Sequence, residues 1–157
     1  MKFRKSSEIF ASPERVFGFH QMPDAFERLI PPWEDLKIIQ KADISEIGSQ
    51  AIVEQRFLGF PVARIIAEHT KYDPPRIFED VIVEGPVKHW RHQHIVKEFE
   101  DHAKLIDEIE FELPFYFAGS LAASLIVLPK LEKMFEYRHK ITKEWCENAG
   151  SGSTLEI

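Results

Sequence analysis

The chain has little of what would staple or metallate a small domain through sulfur. Cys146 is the single cysteine among 157 residues. That excludes an intrachain disulfide and a cysteine-based zinc cluster, and it suits a reducing compartment. A surplus of positive charge is also missing. Twenty Lys and Arg face 26 Asp and Glu, a net charge of −6, so nucleic acid is not the expected partner. Met1-Lys2-Phe3-Arg4-Lys5 is followed by no apolar stretch, so no secretory leader is expected. The longest uncharged run covers 17 residues, Leu113 to Pro129. It falls short of the roughly 20 apolar residues of a membrane span, and Pro114, Gly119, Ser120 and Ser124 interrupt it. The expectation is a cytoplasmic protein without stable membrane insertion. No glycine-rich phosphate loop, dinucleotide fingerprint or nucleophile elbow is present.

What is present is ordinary globular material with one bias. Hydrophobic residues make up 44% and charged residues 29%, which argues against disorder. The length suits one domain, and a chain of this size buries about 68–70% of its unfolded surface. The bias is aromatic: 13 Phe stand beside three Trp and three Tyr. Phenylalanine in this number supplies a core, and it is also what lines an apolar pocket. The composition of Gly150-Ser151-Gly152-Ser153-Thr154 is that of a linker, so residues 1–148 are read as one domain and 149–157 as a flexible tail.

The pattern begins with alternation over residues 2–11, a strand. Ser12-Pro13-Glu14 opens a helix, with Ser12 as cap, Pro13 at the first helical position and Glu14 complementing the dipole. Val16, Phe17 and His20 share its inner face. A second short helix is expected from Asp24, with Glu27 completing a capping box, and Pro31-Pro32 ends it. From Leu36 to Leu113, turn signals fall at Gly48-Ser49, Gly59-Phe60-Pro61, Asp73-Pro74-Pro75, Gly85-Pro86 and Glu100-Asp101. The segments between them are rich in Ile, Val and Phe, which indicates an antiparallel meander of six strands. After Pro114 the period becomes helical. Leu121, Leu125 and Leu128 form one stripe. Pro129 then opens a longer helix on which Leu131, Phe135, Arg138, Thr142 and Trp145 recur every three or four residues.

One helix does not cover a flat sheet of seven strands. The sheet has to curl around it, which leaves a concavity where a small ligand can bind. In this order of elements, and in Ser12-Pro13-Glu14-Arg15-Val16-Phe17, residues 2–148 resemble the helix-grip fold of the START-like, Bet v 1-like superfamily (SRPBCC). Several stretches are similar to a bacterial polyketide cyclase/dehydrase-like subgroup: Leu29-Ile30-Pro31-Pro32-Trp33-Glu34, Phe78-Glu79-Asp80, Gly85-Pro86, Trp90-Arg91-His92-Gln93-His94 and Met134-Phe135-Glu136-Tyr137-Arg138. The resemblance implies an α+β fold. In it a seven-stranded curved antiparallel sheet wraps a long C-terminal helix, and two short helices follow strand 1. It also implies a lipid or polyketide-like ligand between sheet and helix. Fold transfers more firmly than function, because the superfamily includes carriers, receptors and cyclases.

Strand alternation selects the polar candidates. In Val87–Phe99 the face carrying Trp90, His92, His94 and Val96 is the more apolar and is expected inward. In Lys104–Leu113 the inward face carries Leu105, Asp107, Ile109, Phe111 and Leu113. In Ile77–Glu84, Phe78, Asp80 and Ile82 share a face. Asp80, His92, His94 and Asp107 therefore meet on the concave surface, and buried groups of this kind need partners. Three roles are open: a network tying strands together, an anchor for a ligand head group, or acid–base catalysis of a cyclisation or dehydration. The expected lining is Phe78, Asp80, Trp90, His92, His94, Asp107, Ile109 and Phe111, with Leu125 and Phe135 from the helices. His92 and His94 at i, i+2 with a neighbouring acid also match a three-ligand metal site. That pattern is short and common by chance, so neither metal nor cofactor is expected. His20 reads as a surface or cap residue, and His69, His102 and His139 have no visible partner. Arg138, if inward, would pair with Asp107 or Asp80. Trp33 reads as a packing aromatic in a rigid turn, and Phe115, Tyr116 and Phe117 beside Gly119 as core or as a hinged gate.

Overall fold

A computed structural model of the protein describes residues 1–114 and 123–148. The elements are β1 (Lys2–Ile9), α1 (Pro13–His20), α2 (Ala25–Arg28), β2 (Leu36–Gln40), β3 (Gln50–Phe57), β4 (Phe60–Asp73), β5 (Ile77–Glu84), β6 (His89–Glu98) and β7 (Ala103–Glu112). A π-helical turn, Ala123–Val127, leads into α3 (Leu128–Asn148). The sheet is antiparallel in the order β1-β7-β6-β5-β4-β3-β2. The first strand thus joins the last, and the meander runs outward from there. This is the helix-grip arrangement. The proposed gate at Phe115–Phe117, Leu121 and the tail 149–157 lie outside the described residues. No described helix is long and apolar enough to cross a membrane.

Local chemistry explains the joints. The Ser12 Oγ accepts from the Arg15 amide at 3.2 Å, and Pro13 opens α1. Arg15 then reaches across the molecule. Its Nε donates to the Cys146 carbonyl at 2.7 Å, Nη2 donates to that of Trp145 at 3.3 Å, and the guanidinium stands 4.5 Å from the Trp145 ring. A cation at the carbonyl end of α3 meets the negative end of its dipole. α2 departs from expectation: Asp24 makes no side-chain cap, because its carboxylate pairs with Arg28. The β3–β4 turn is also tighter than its composition suggests. It is made by Leu58 and Gly59, with φ of 50° and 82°, the left-handed pair that a two-residue hairpin needs. Phe60 and Pro61 consequently belong to β4.

The core is concentrated at one side of the sheet. Val16, Phe17 and Phe19 of α1 pack with Phe78, Val96, Leu105 and Cys146. Leu131 and Phe135 of α3 pack on Phe3, Ile109 and Phe111. α3 meets the sheet chiefly at β1. Among the described residues, Val53 is the only apolar side chain of β2, β3 and β4 in the buried core. One expectation fails here: Leu125 is 68% exposed. The stripe argument assumed 3.6 residues per turn, and the wider π-turn at 123–127 breaks that spacing.

Candidate functional site

Cross-strand register brings the polar candidates together. Asp80 lies opposite His92, Phe78 opposite His94, and His94 opposite Asp107. On the convex side of the same strands, Glu79 accepts from Thr70 Oγ1, Arg91 Nε and Gln93 Nε2 at 2.7–2.8 Å. That network fixes which face of β5 turns inward.

Asp107 is the hub. It is 3% exposed and surrounded by imidazoles. His92 Nε2 donates to its Oδ1 at 2.8 Å, and His139 Nε2 donates to its Oδ2 at 2.6 Å. The Ser7 hydroxyl lies 2.9 Å from His139 Nδ1 and donates to it, so the ring is held from both sides. His94 Nδ1 also stands 2.8 Å from Asp107 Oδ1. That contact is close in charge but not aligned as a hydrogen bond, since the same nitrogen has no hydrogen-bond partner among the described residues. At its far end the network reaches Asp80, whose Oδ2 accepts from His94 Nε2 at 3.3 Å and lies 3.6 Å from His92 Nδ1.

The electrostatics divide two adjacent rings. The His92 and His94 rings are 3.8 Å apart. Burial disfavours charge on both. For His94 the Asp107 and Asp80 carboxylates outweigh burial and push the imidazole up to about 9. For His92 burial and the charge on His94 prevail, and its pKa falls below the usual 6.5. Burial also works against ionised Asp107, but the His94 charge and three imidazole contacts hold it well below the usual carboxylate range. Asp80 is likewise lowered against its burial, by His94 and His92. Aromatic faces enclose the set. Phe78 stacks on His94 at 4.0 Å and 10°, and Phe135 meets His92 edge-on at 5.2 Å.

Several sequence assignments change. Ile109, Phe111 and Phe135 pack against one another and Phe3 as core, and half-buried Trp90 leans on Phe111 at 5.8 Å. Arg138 forms no ion pair with Asp107 or Asp80 among the described contacts. Its Nε donates to the Leu29 carbonyl at 3.1 Å, and the guanidinium lies over Phe135. Trp33 is 46% exposed and meets Tyr137 edge-on. His20 is not a surface residue: its Nδ1 bonds the Val16 carbonyl, its ring sits 5.9 Å from His94, and burial lowers it to about 4. His139 and His20 were the omissions. Both were detectable, since His139 follows Phe135 by one helical turn and His20 shares the inner face of Val16 and Phe17. His69, opposite Asp80, completes the polar lining on β4.

Two surface grooves accompany this cluster without touching it. One of about 670 Å³ runs between Pro31-Pro32 and β2, and one of about 400 Å³ lies beside Trp145.

No family model and no curated protein matches the sequence. Solved structures do match the fold. TTHA0849 from Thermus thermophilus superposes with a TM-score of 0.72 at 17% identity, over 97% of this chain and 100% of that one. The di-domain ARO/CYC StfQ from the steffimycin biosynthetic pathway gives 0.73 at 9%, over 95% and 52%. A norcoclaurine synthase point mutant from Thalictrum, in complex with a transition-state analogue, gives 0.65 at 18%, over 92% and 95%.

Proposed function

We propose that this chain, which has the helix-grip fold of the START-like, Bet v 1-like superfamily, binds a small apolar or amphipathic molecule. The ligand lies against the concave face of β2–β5, with its polar end at Asp80 and His94. One observation carries this reading: the described residues cover the two halves of the sheet unequally. α1 and α3 fill the concave face of β1, β6 and β7, whereas only Val53 of β2–β4 joins the described apolar core. Register sets Val53, Ile65, Ala67 and Ile82 on one continuous face that runs to Asp80. Apolar surface removed from water there is worth about 25 cal/mol per Å², and the charged end fixes orientation. The likeness to an ARO/CYC protein and the polyketide cyclase/dehydrase-like stretches support a lipid or polyketide-like ligand. A cytoplasmic carrier with its one thiol reduced is part of the same reading.

A second reading is favoured by the adjacent His92 and His94 rings: a cyclase or dehydratase-type step with one imidazole as acid and the other as base. Thermal shift with a panel of fatty acids and aromatic polyketides tests binding. One-to-one stabilisation that grows with concentration is expected, about 2.7 kcal/mol at a hundredfold excess over Kd. A panel that leaves the melting temperature unchanged contradicts the reading. Turnover that falls by orders of magnitude in His92→Gln or His94→Gln while affinity holds favours the enzyme.

A further inference from the structure

We propose that Asp80, His92 and His94 form a site for a divalent transition-metal ion of the zinc class. The proposal does not depend on the small-molecule reading. Asp80, His92 and His94 each offer one ligand atom, and the three atoms lie within 4.8 Å of one another. Asp80 Oδ2 is 3.6 Å from His92 Nδ1 and 3.3 Å from His94 Nε2. Ligands about 2.0–2.2 Å from a tetrahedral zinc stand roughly 3.3–3.6 Å apart, so two of the three edges already have that length.

Proton accounting points the same way. His92 Nε2 carries the hydrogen that Asp107 Oδ1 accepts. A neutral imidazole has one N–H, so His92 Nδ1 turns a lone pair on the Asp80 carboxylate. Two acceptors then face each other, and a cation between them turns repulsion into coordination. His94 has its Nδ1 beside the same Asp107 oxygen, which leaves Nε2 on the Asp80 side. Asp107 therefore stands behind His92 as the hydrogen-bonded carboxylate that orients a metal-bound histidine, and an ion at His94 Nε2 takes the place of the proton that nitrogen gives to Asp80. His139, backed by Ser7, holds its other oxygen and keeps the hub in place.

The charges also close. Binding releases the His94 Nε2 proton to solvent, and the two carboxylates then offset a divalent ion between neutral imidazoles. Two histidines and one carboxylate leave a fourth position open. Asp80 and His94 keep 16% and 12% side-chain exposure against 5% for His92, so the open position lies on the side of Asp80 and His94. The buried ring of the pair is thereby the inner ligand.

Calorimetric titration of zinc chloride into the chelator-stripped full chain tests this, with cobalt chloride in parallel for the visible absorption of a tetrahedral site. One ion per chain is expected. Affinity should fall at least about 100-fold in Asp80→Asn and His94→Gln and hold in His102→Gln, a surface imidazole paired with Asp101. Ring nitrogen spectra of the unaltered protein give a second readout that no folding defect confuses. Zinc should move His92 Nδ1 and His94 Nε2. Absence of saturable binding, one-to-one binding that persists in both site variants, or shifts confined to His89 and His102 overturns the proposal.

Discussion

Replacing Asp107 by alanine removes the one anion that three imidazoles share. The site is 3% exposed, so water does not take over the lost bonds. His94, held up to about 9 mainly against burial by this carboxylate, then has only Asp80 to stabilise its charge. Removing one partner of a buried charged pair costs about 3–5 kcal/mol. In a chain of this length each kcal/mol lowers the melting temperature by about 2–4 °C, so a fall of roughly 6–20 °C is expected in a circular dichroism melt. Asp107→Asn, which keeps the volume and one acceptor, should lose less. Loss of the His94 proton limits the penalty, so the difference from wild type should narrow as the pH approaches 9. A loss below about 1 kcal/mol at neutral pH, the value of an exposed pair, would refute the hub.

In the metal-free protein, stability should peak near pH 6.5. His94, facing Asp80, Asp107, His92 and His20, has a folded pKa of about 9 against 6.5; its contribution is complete below pH 6.5 and lost as pH rises through 9. His20, lowered to about 4, has the opposite sign and is lost as pH falls from 6.5. Urea midpoints that keep rising above neutral pH would contradict the His94 assignment. Cys146 is buried and its thiol is pushed up to about 11, so a thiol reagent should react only on unfolding; native reaction at the unfolded rate would show the end of α3 to be open. Gly18→Ala, whose new Cβ meets nothing within 4 Å, should stabilise α1 by about 0.4–1 kcal/mol. Gly59→Ala, at φ 82°, should cost about 1–2 kcal/mol; equal urea midpoints for the two variants would contradict both.

The meander and the inward face of β7 were legible because alternation has a strict period of two. Leu105, Ile109 and Phe111 could not face the core without bringing Asp107 with them. The same logic delivered His92 and His94. What escaped depended on contacts between distant segments. His139 bonds a carboxylate 32 positions away and a serine 132 away, and no local pattern records either partner. Arg138 illustrates the reverse. Its charge suggested an acid, but helix rotation turned it toward the Leu29 carbonyl. Leu125 was misplaced because a π-turn shifts phase without a compositional mark. The uneven cover of the sheet was illegible for a similar reason: α3 meets β1 through side chains that would suit several strands.

Methyl spectra during titration with decanoate test the binding reading most directly. Resonances of Val53, Ile65 and Ile82 should move together and saturate at one ligand per chain. The exposed hairpin tip at Phe57, Leu58 and Phe60 should stay unmoved. Shifts confined to that tip, or no saturable shift on the concave face, would contradict a ligand site between Asp80 and the concave face of β2–β4.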